Sequence, residues 1–150
     1  MPYTYKHPRP SVTTDAIIIT QIKDEFLILL IKRCNDPFKN MWALPGGFIE
    51  MDEDLMDACK RELKEETGID DAPLNEFAAF GTPGRDPRGR TISIVFWGIV
   101  DNKTAIEAGD DAAKVQWFRI NELPQLAFDH EEIIERFKNE HQDVMSSCKA

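Results

Sequence analysis

The run Ile92 to Val100 (ISIVFWGIV) carries no charge, and its apolar residues do not alternate with polar ones. It predicts a strand buried on both faces, and that constrains the fold more than any other stretch. Val12 to Thr20 (VTTDAIIIT) and Glu25 to Arg33 (EFLILLIKR) are also β-branched or apolar. Only QIKD separates them, so they predict an antiparallel hairpin. Asn75 to Phe80 and Val115 to Ile120 add short strands. Helices are predicted from Glu53 to Thr67, stopped by Gly68, and from Asp129 to His141. Mixed strands and helices with a hairpin make the class α/β, with a mixed sheet. Ala43-Leu44-Pro45-Gly46-Gly47 reads as a breaker cluster, and Thr82 to Arg90 as a loop. Residues 1–10 contain three prolines and read as an irregular arm. No repeat, low-complexity segment or linker is evident, so residues 1–150 read as a single domain.

The net charge of −9 argues against sequence-independent nucleic-acid binding and against anionic membranes. Cys34, Cys59 and Cys148 are odd in number and form no CxxC. They read as reduced thiols, which fits a cytoplasmic protein. The N-terminus lacks the apolar core of a signal peptide, and no apolar run reaches membrane length.

The predicted first helix crowds Glu62, Glu65 and Glu66 at i, i+3 and i+4, where like charges repel. On a helical wheel with Glu62 at zero, Glu66 falls near +40° and Glu65 near −60°. Leu55, Met56, Cys59 and Leu63 fall at roughly +20° to +120°, so the acids overlap the inward face. Lys60, Lys64 and Asp57 lie opposite. Partly buried carboxylates need cations, and clustered glutamate oxygens suit Mg²⁺ or Mn²⁺. Arg61 can pair with Glu65 one turn on. The alternative is a solvated acidic face with incidental spacing.

The wider pattern is Gly47, five residues, Glu53, seven residues, then Arg61-Glu62-Leu63-x-Glu65-Glu66-x-Gly68-Ile69. It resembles the Nudix hydrolase signature at every defined position. The resemblance implies an α/β/α sandwich around a mixed sheet. It implies that Glu62, Glu65 and Glu66 bind divalent metal, helped by the backbone carbonyl of Gly46. Glu53 and Arg61 would support the site, and Gly47 would lie against substrate. The implied reaction is hydrolysis of a nucleoside diphosphate linked to another group.

The loop TPGRDPRGR places Arg85, Arg88 and Arg90 beside one acid, Asp86. Arginine forks suit phosphate, although a basic solvent loop is the simpler alternative. FGTPGRDPRGRTISIVFWGIV resembles the segment after the signature in ADP-ribose pyrophosphatases and in the Nudix domain of NAD-related transcriptional regulators. Thr82 and Phe96 depart from the usual residues. The resemblance covers roughly residues 12–138. It implies ADP-ribose as substrate, with AMP and ribose 5-phosphate as products. Another nucleotide (an oxidised nucleoside triphosphate, NADH or a nucleotide sugar) and a non-catalytic ADP-ribose sensor are the alternatives. The regulators' winged helix has no room before Ala150, so nucleic acid is not an expected partner. A homodimer is possible, with the arm swapped across it. Asp111, six residues before Trp117, is a candidate general base; an ordinary turn at Gly109-Asp110-Asp111, with a signature glutamate as the base, is the alternative. Arg33 at a strand end can reach phosphate or base. Asp129 reads as a helix cap and His130 as a possible substrate contact. Trp42, Phe38 and Phe80 read as packing before stacking.

Overall fold

A computed structural model describes residues 2–109 and 112–147. The strands are β1 Ser11–Ile22, β2 Glu25–Arg33, β3 Trp42–Ala43, β4 Gly46–Phe48, β5 Asn75–Phe80, β6 Thr91–Ile99 and β7 Ala112–Arg119. The helices are α1 Leu55–Thr67, α2 His130–Glu140 and α3 Gln142–Ser147. All seven strands form one mixed sheet. β1 runs parallel to β6, while β1–β2, β2–β7 and β5–β6 are antiparallel. The expected hairpin is present, with Ile19 opposite Ile28.

Alternate residues of β1 serve two cores. Ile17 and Ile19 join Ile28, Leu30 and Val95 beneath Ile133, Ile134 and Phe137 of α2. Ala16 and Ile18 join Leu29 and Phe96 beneath Cys59 and Leu63 of α1. A helix therefore covers each face, which makes three layers. Val95 and Phe96 are fully buried on opposite faces, as the uncharged run predicts.

The start of α1 and the breaker cluster differ from expectation. α1 starts at Leu55 because the Asp54 carboxylate accepts the Leu55 N–H, leaving Glu53 outside the helix. Its end is as predicted, with Gly68 at φ 79° and its N–H on the Lys64 carbonyl. The breaker cluster is not all loop: Leu44-Pro45 is flanked by β3 and β4. β4 pairs with the first half of β1, at Thr13–Asp15, and β2 pairs with its second half. β3 pairs with Ile31 and Lys32 of β2. β1 and β2 thus part like a fork, and the β3–β4 segment fills it, with Ala16 N–H on the Pro45 carbonyl at 2.9 Å.

Candidate active site

A cavity of about 320 Å³ opens at this fork. Its lining brings together Asp15 of β1, Arg33 of β2, Gly46 and Gly47 of β4, and Glu62 and Glu66 of α1. The loop after β5 adds Arg85, Asp86 and Arg88, and the start of α2 adds His130.

Glu62 and Glu66 stand one turn apart on α1, where both reach β4. Glu66 is 6% exposed, and its Oε1 accepts the Gly46 N–H at 2.7 Å. Burial pushes its pKa up to about 8, and the nearby Glu62 and Asp15 carboxylates push the same way. The Gly46 N–H and Arg33 oppose the rise. Gly47 faces Glu62 so closely that a Cβ there would come 2.6 Å from the carboxylate. Arg61 ties the acids together: it reaches Glu53 at 2.6 Å, Glu62 at 2.9 Å and Glu65 at 3.3 Å. Glu53 in turn accepts the Glu50 N–H, and the Arg61 bond holds its carboxyl below the usual range. The expected Arg61–Glu65 pair is present, but it is longer than the bonds to Glu53 and Glu62.

Glu65 is exposed, shares Arg61 Nη1 with Glu62 and does not line the cavity. Among the described residues, no three Asp, Glu, His or Cys side chains converge as a metal-holding group. Glu62 and Glu66 are the expected ligands that the fold brings side by side, with Gly46 adjoining.

In the arginine loop, the Arg85 side chain is buried and grips both oxygens of Asp129, at 2.9 and 2.7 Å. Asp129 therefore makes no side-chain cap bond to α2, contrary to the simpler expectation. Arg88 forks onto Asp86 at 3.0 and 2.8 Å. Its guanidinium also lies against the rings of Phe48 and Phe128, 4.7 and 5.3 Å from their centroids. Arg90 is not part of the cavity; it is exposed and donates to the Gly81 carbonyl at 2.5 Å. Arg33 lines the cavity and donates to the Pro37 carbonyl at 2.8 Å. Asp111 lies outside the described residues.

The model of the NUDIX domain matches residues 10–137. This chain belongs to the NUDIX family. It is 47% identical over 139 residues to an ADP-ribose pyrophosphatase of Methanocaldococcus jannaschii, covering 90% of this chain and 78% of that one. It is 34% identical over 134 residues to the ADPR responsive transcriptional repressor NtrR of Acinetobacter baylyi, covering 87% of this chain and 54% of the repressor. The NUDIX domain of Shewanella oneidensis NrtR, solved with ADP ribose, superposes with a TM-score of 0.83 at 29% identity, covering 93% of this chain and 94% of that one.

The NUDIX signature accounts for Glu53, Arg61, Glu62 and Glu66, but several cavity residues lie outside it. Asp15, Phe48, Asp86 and Phe128 were not among the sequence candidates. Asp15 left one trace, as the lone acid inside an otherwise uncharged strand. Phe128 left none, because its place follows from a backbone turn at φ 54° that brings its ring near Arg33 and Arg88. Trp42 packs edge-on against Phe118, and Phe80 neighbours Phe77, in line with a packing role for both. Among the described residues no helix is long and apolar enough to cross a membrane.

Proposed function

We propose that this NUDIX protein hydrolyses the diphosphate of ADP-ribose, or of a close nucleoside-diphosphate derivative, to AMP and a sugar phosphate. The observation that carries this reading is one cavity holding paired glutamates together with Arg33, Arg85 and Arg88. The likeness to a protein named ADP-ribose pyrophosphatase supports the substrate.

NUDIX hydrolases generally use divalent metals, and the donor set here fits one. Glu62 and Glu66 offer hard oxygens, and burial beside Glu62 and Asp15 leaves Glu66 short of positive charge. Glu62, Glu66 and the Gly46 carbonyl would hold Mg²⁺ or Mn²⁺, with Glu65 at the exposed edge. Bound metal neutralises diphosphate charge and lowers the pKa of water. The chain's own residues do the positioning. Gly46 N–H orients Glu66, and Arg61, anchored by Glu53, orients Glu62. Arg33, Arg85 and Arg88 offset the charge of the diphosphate. Asp111 remains our candidate for the general base. We take residues 1–150 as one domain acting in the cytoplasm, with no nucleic-acid partner.

The test is incubation with ADP-ribose and Mg²⁺, with and without chelator, beside a nucleotide panel. Chelator-sensitive release of AMP and ribose 5-phosphate, with ADP-ribose preferred, is the expected result. Preference for another nucleotide would discard our reading of the arginines. The likeness to a repressor favours a second reading, an ADP-ribose sensor. Tight binding without turnover would establish that instead.

The adjacent glycines separate fold from chemistry. A Cβ at Gly46 would collide with the backbone carbonyl of Thr14, so Gly46→Ala should cost roughly 1–3 kcal/mol or more in denaturant titrations. The three atoms nearest a Cβ at Gly47 all belong to the movable end of Glu62. Gly47→Ala should keep its melting temperature within a few degrees yet lose about tenfold or more in kcat/KM, as expected for a displaced catalytic group. Loss of fold in Gly47→Ala, or full activity in it, would contradict this.

A further inference from the structure

Asp15 and His130 meet at the cavity, and no bond among the described residues joins them. The Asp15 side chain is 10% exposed and that of His130 is 4% exposed. One Asp15 oxygen, Oδ2, accepts a short hydrogen bond from the Ser93 hydroxyl. The other, Oδ1, accepts no hydrogen bond among the described residues, and both residues line the cavity. It lies 3.8 Å from His130 Nε2, too far for a direct bond.

The state of His130 follows from its other nitrogen. The Leu44 N–H donates to Nδ1 at 3.0 Å, so Nδ1 carries no proton. Burial lowers the pKa of the ring, more than Asp15 and Asp129 raise it. Neutral imidazole then carries its proton on Nε2, the atom nearest Asp15. An acceptor and a donor therefore stand side by side on the cavity wall, and no hydrogen bond among the described residues engages either. One oxygen placed about 2.8 Å from both atoms would satisfy the two, donating to Asp15 Oδ1 and accepting from His130 Nε2–H. Only an O–H group does both through one atom. A phosphate oxygen cannot donate, and a cation cannot accept from Nε2–H.

We infer that Asp15 Oδ1 and His130 Nε2 form a subsite for a hydroxyl of the substrate's ribose. This rests on the proposed ADP-ribose chemistry and adds specificity residues outside the NUDIX signature. ADP-ribose offers hydroxyls on its adenosine ribose and on its terminal ribose, and the subsite would recognise the shared vicinal-diol chemistry. Asp15→Asn reverses the polarity. With its oxygen kept on Ser93, the amide presents N–H beside His130 Nε2–H, so the hydroxyl's own hydrogen loses its charged acceptor.

The test compares kcat and KM for ADP-ribose with those for two analogues, one lacking the adenosine 2′,3′-hydroxyls and one lacking those of the terminal ribose. Wild type and Asp15→Asn are assayed, with thermal melts as a check on folding. Wild type should lose about tenfold to a hundredfold in kcat/KM on one analogue, mainly through KM, as for a hydrogen bond to a charged group. That analogue identifies which ribose is read. Asp15→Asn should lose the discrimination and turn over that analogue and ADP-ribose with similar kcat/KM. The wild-type comparison stands by itself if the variant does not fold. Equal use of all three substrates by wild type would overturn the subsite while leaving ADP-ribose hydrolysis intact, as would discrimination that survives in a folded Asp15→Asn. No activity on ADP-ribose at all would overturn the proposed function and this subsite's ligand together.

Discussion

Glu66→Gln is expected to reduce ADP-ribose hydrolysis by on the order of 10³-fold or more while stabilising the metal-free protein. The two effects share one cause. Glu66 is 6% exposed and faces Glu62 and Asp15, so its charge is tolerated only with a cation beside it. Glutamine is nearly isosteric, and its amide oxygen still accepts the Gly46 N–H, so the packing survives. What disappears is the charge. The sign of the pH dependence follows. Glu66 ionises near 4.5 in the unfolded chain and near about 8 when folded. Between those values the folded state holds the extra proton, so stability falls as pH rises. Below that window the wild type and the variant should melt alike. Above it the variant should be more stable by on the order of a few kcal/mol. Saturating Mg²⁺ should close the gap by raising the wild type alone. Melts at about pH 5 and pH 8.5, with and without Mg²⁺, measure this window. A variant that is less stable than wild type in the metal-free state at alkaline pH would show that Glu66 is a structural acid, not a metal ligand.

The second large effect is expected at Arg85. Its side chain is 4% exposed, and both bonds to Asp129 are near ideal length. Arg85→Ala leaves Asp129 mostly enclosed and unpaired, beside a cavity that already holds Asp15 and Asp86. Breaking such a pair from one side should cost about 3 kcal/mol. Arg85→Ala/Asp129→Ala should recover part of that, because no carboxylate is then stranded. Arg90 serves as the internal control from the same loop. Its guanidinium is exposed and, among the described residues, bonds only the Gly81 carbonyl, so Arg90→Ala should stay within about 0.5 kcal/mol of wild type. Urea titration of the four proteins decides the matter. Equal midpoints for Arg85→Ala and Arg90→Ala would mean that the Arg85–Asp129 pair contributes nothing net. Arg85→Ala should also raise KM for ADP-ribose, since the cavity loses one of three arginines.

Much of this was legible from residue order. The uncharged run in β6 and the hairpin of β1 and β2 announced themselves, because side chains buried from both sides leave no room for polar alternation. Helix α1 was legible through its inward stripe and Gly68. The acids on its rim were legible because spacing on a helix converts directly into a shared face. Placement of Glu62 and Glu66 in the cavity agrees with that expectation. Glu65 is expected beside them, yet it is exposed and off the cavity lining, because a wheel angle does not say how far the core wall extends.

Other features depended on which distant segments met. Leu44-Pro45 carries breaker residues, but β4 forms because β1 leaves its first half unpaired by β2. Asp129 has the identity and position of a helix cap, yet a bidentate arginine 44 residues away outcompetes the backbone N–H groups. Arg85, Arg88 and Arg90 are equivalent as letters. Two line the cavity and one leaves it, because each finds a different acceptor: Asp129, Asp86 and the Gly81 carbonyl.

By itself the sequence determined the layered α/β class, the helix with its acidic rim and the NUDIX signature. These are set by local periodicity and by residue types at fixed spacing. The tertiary structure alone decided the fork between β1 and β2, the choice among the loop arginines and the meeting of Asp15 with His130. Each of those rests on a pairing between residues far apart in the chain, where the energy of a contact depends on burial and partner geometry that no local pattern records.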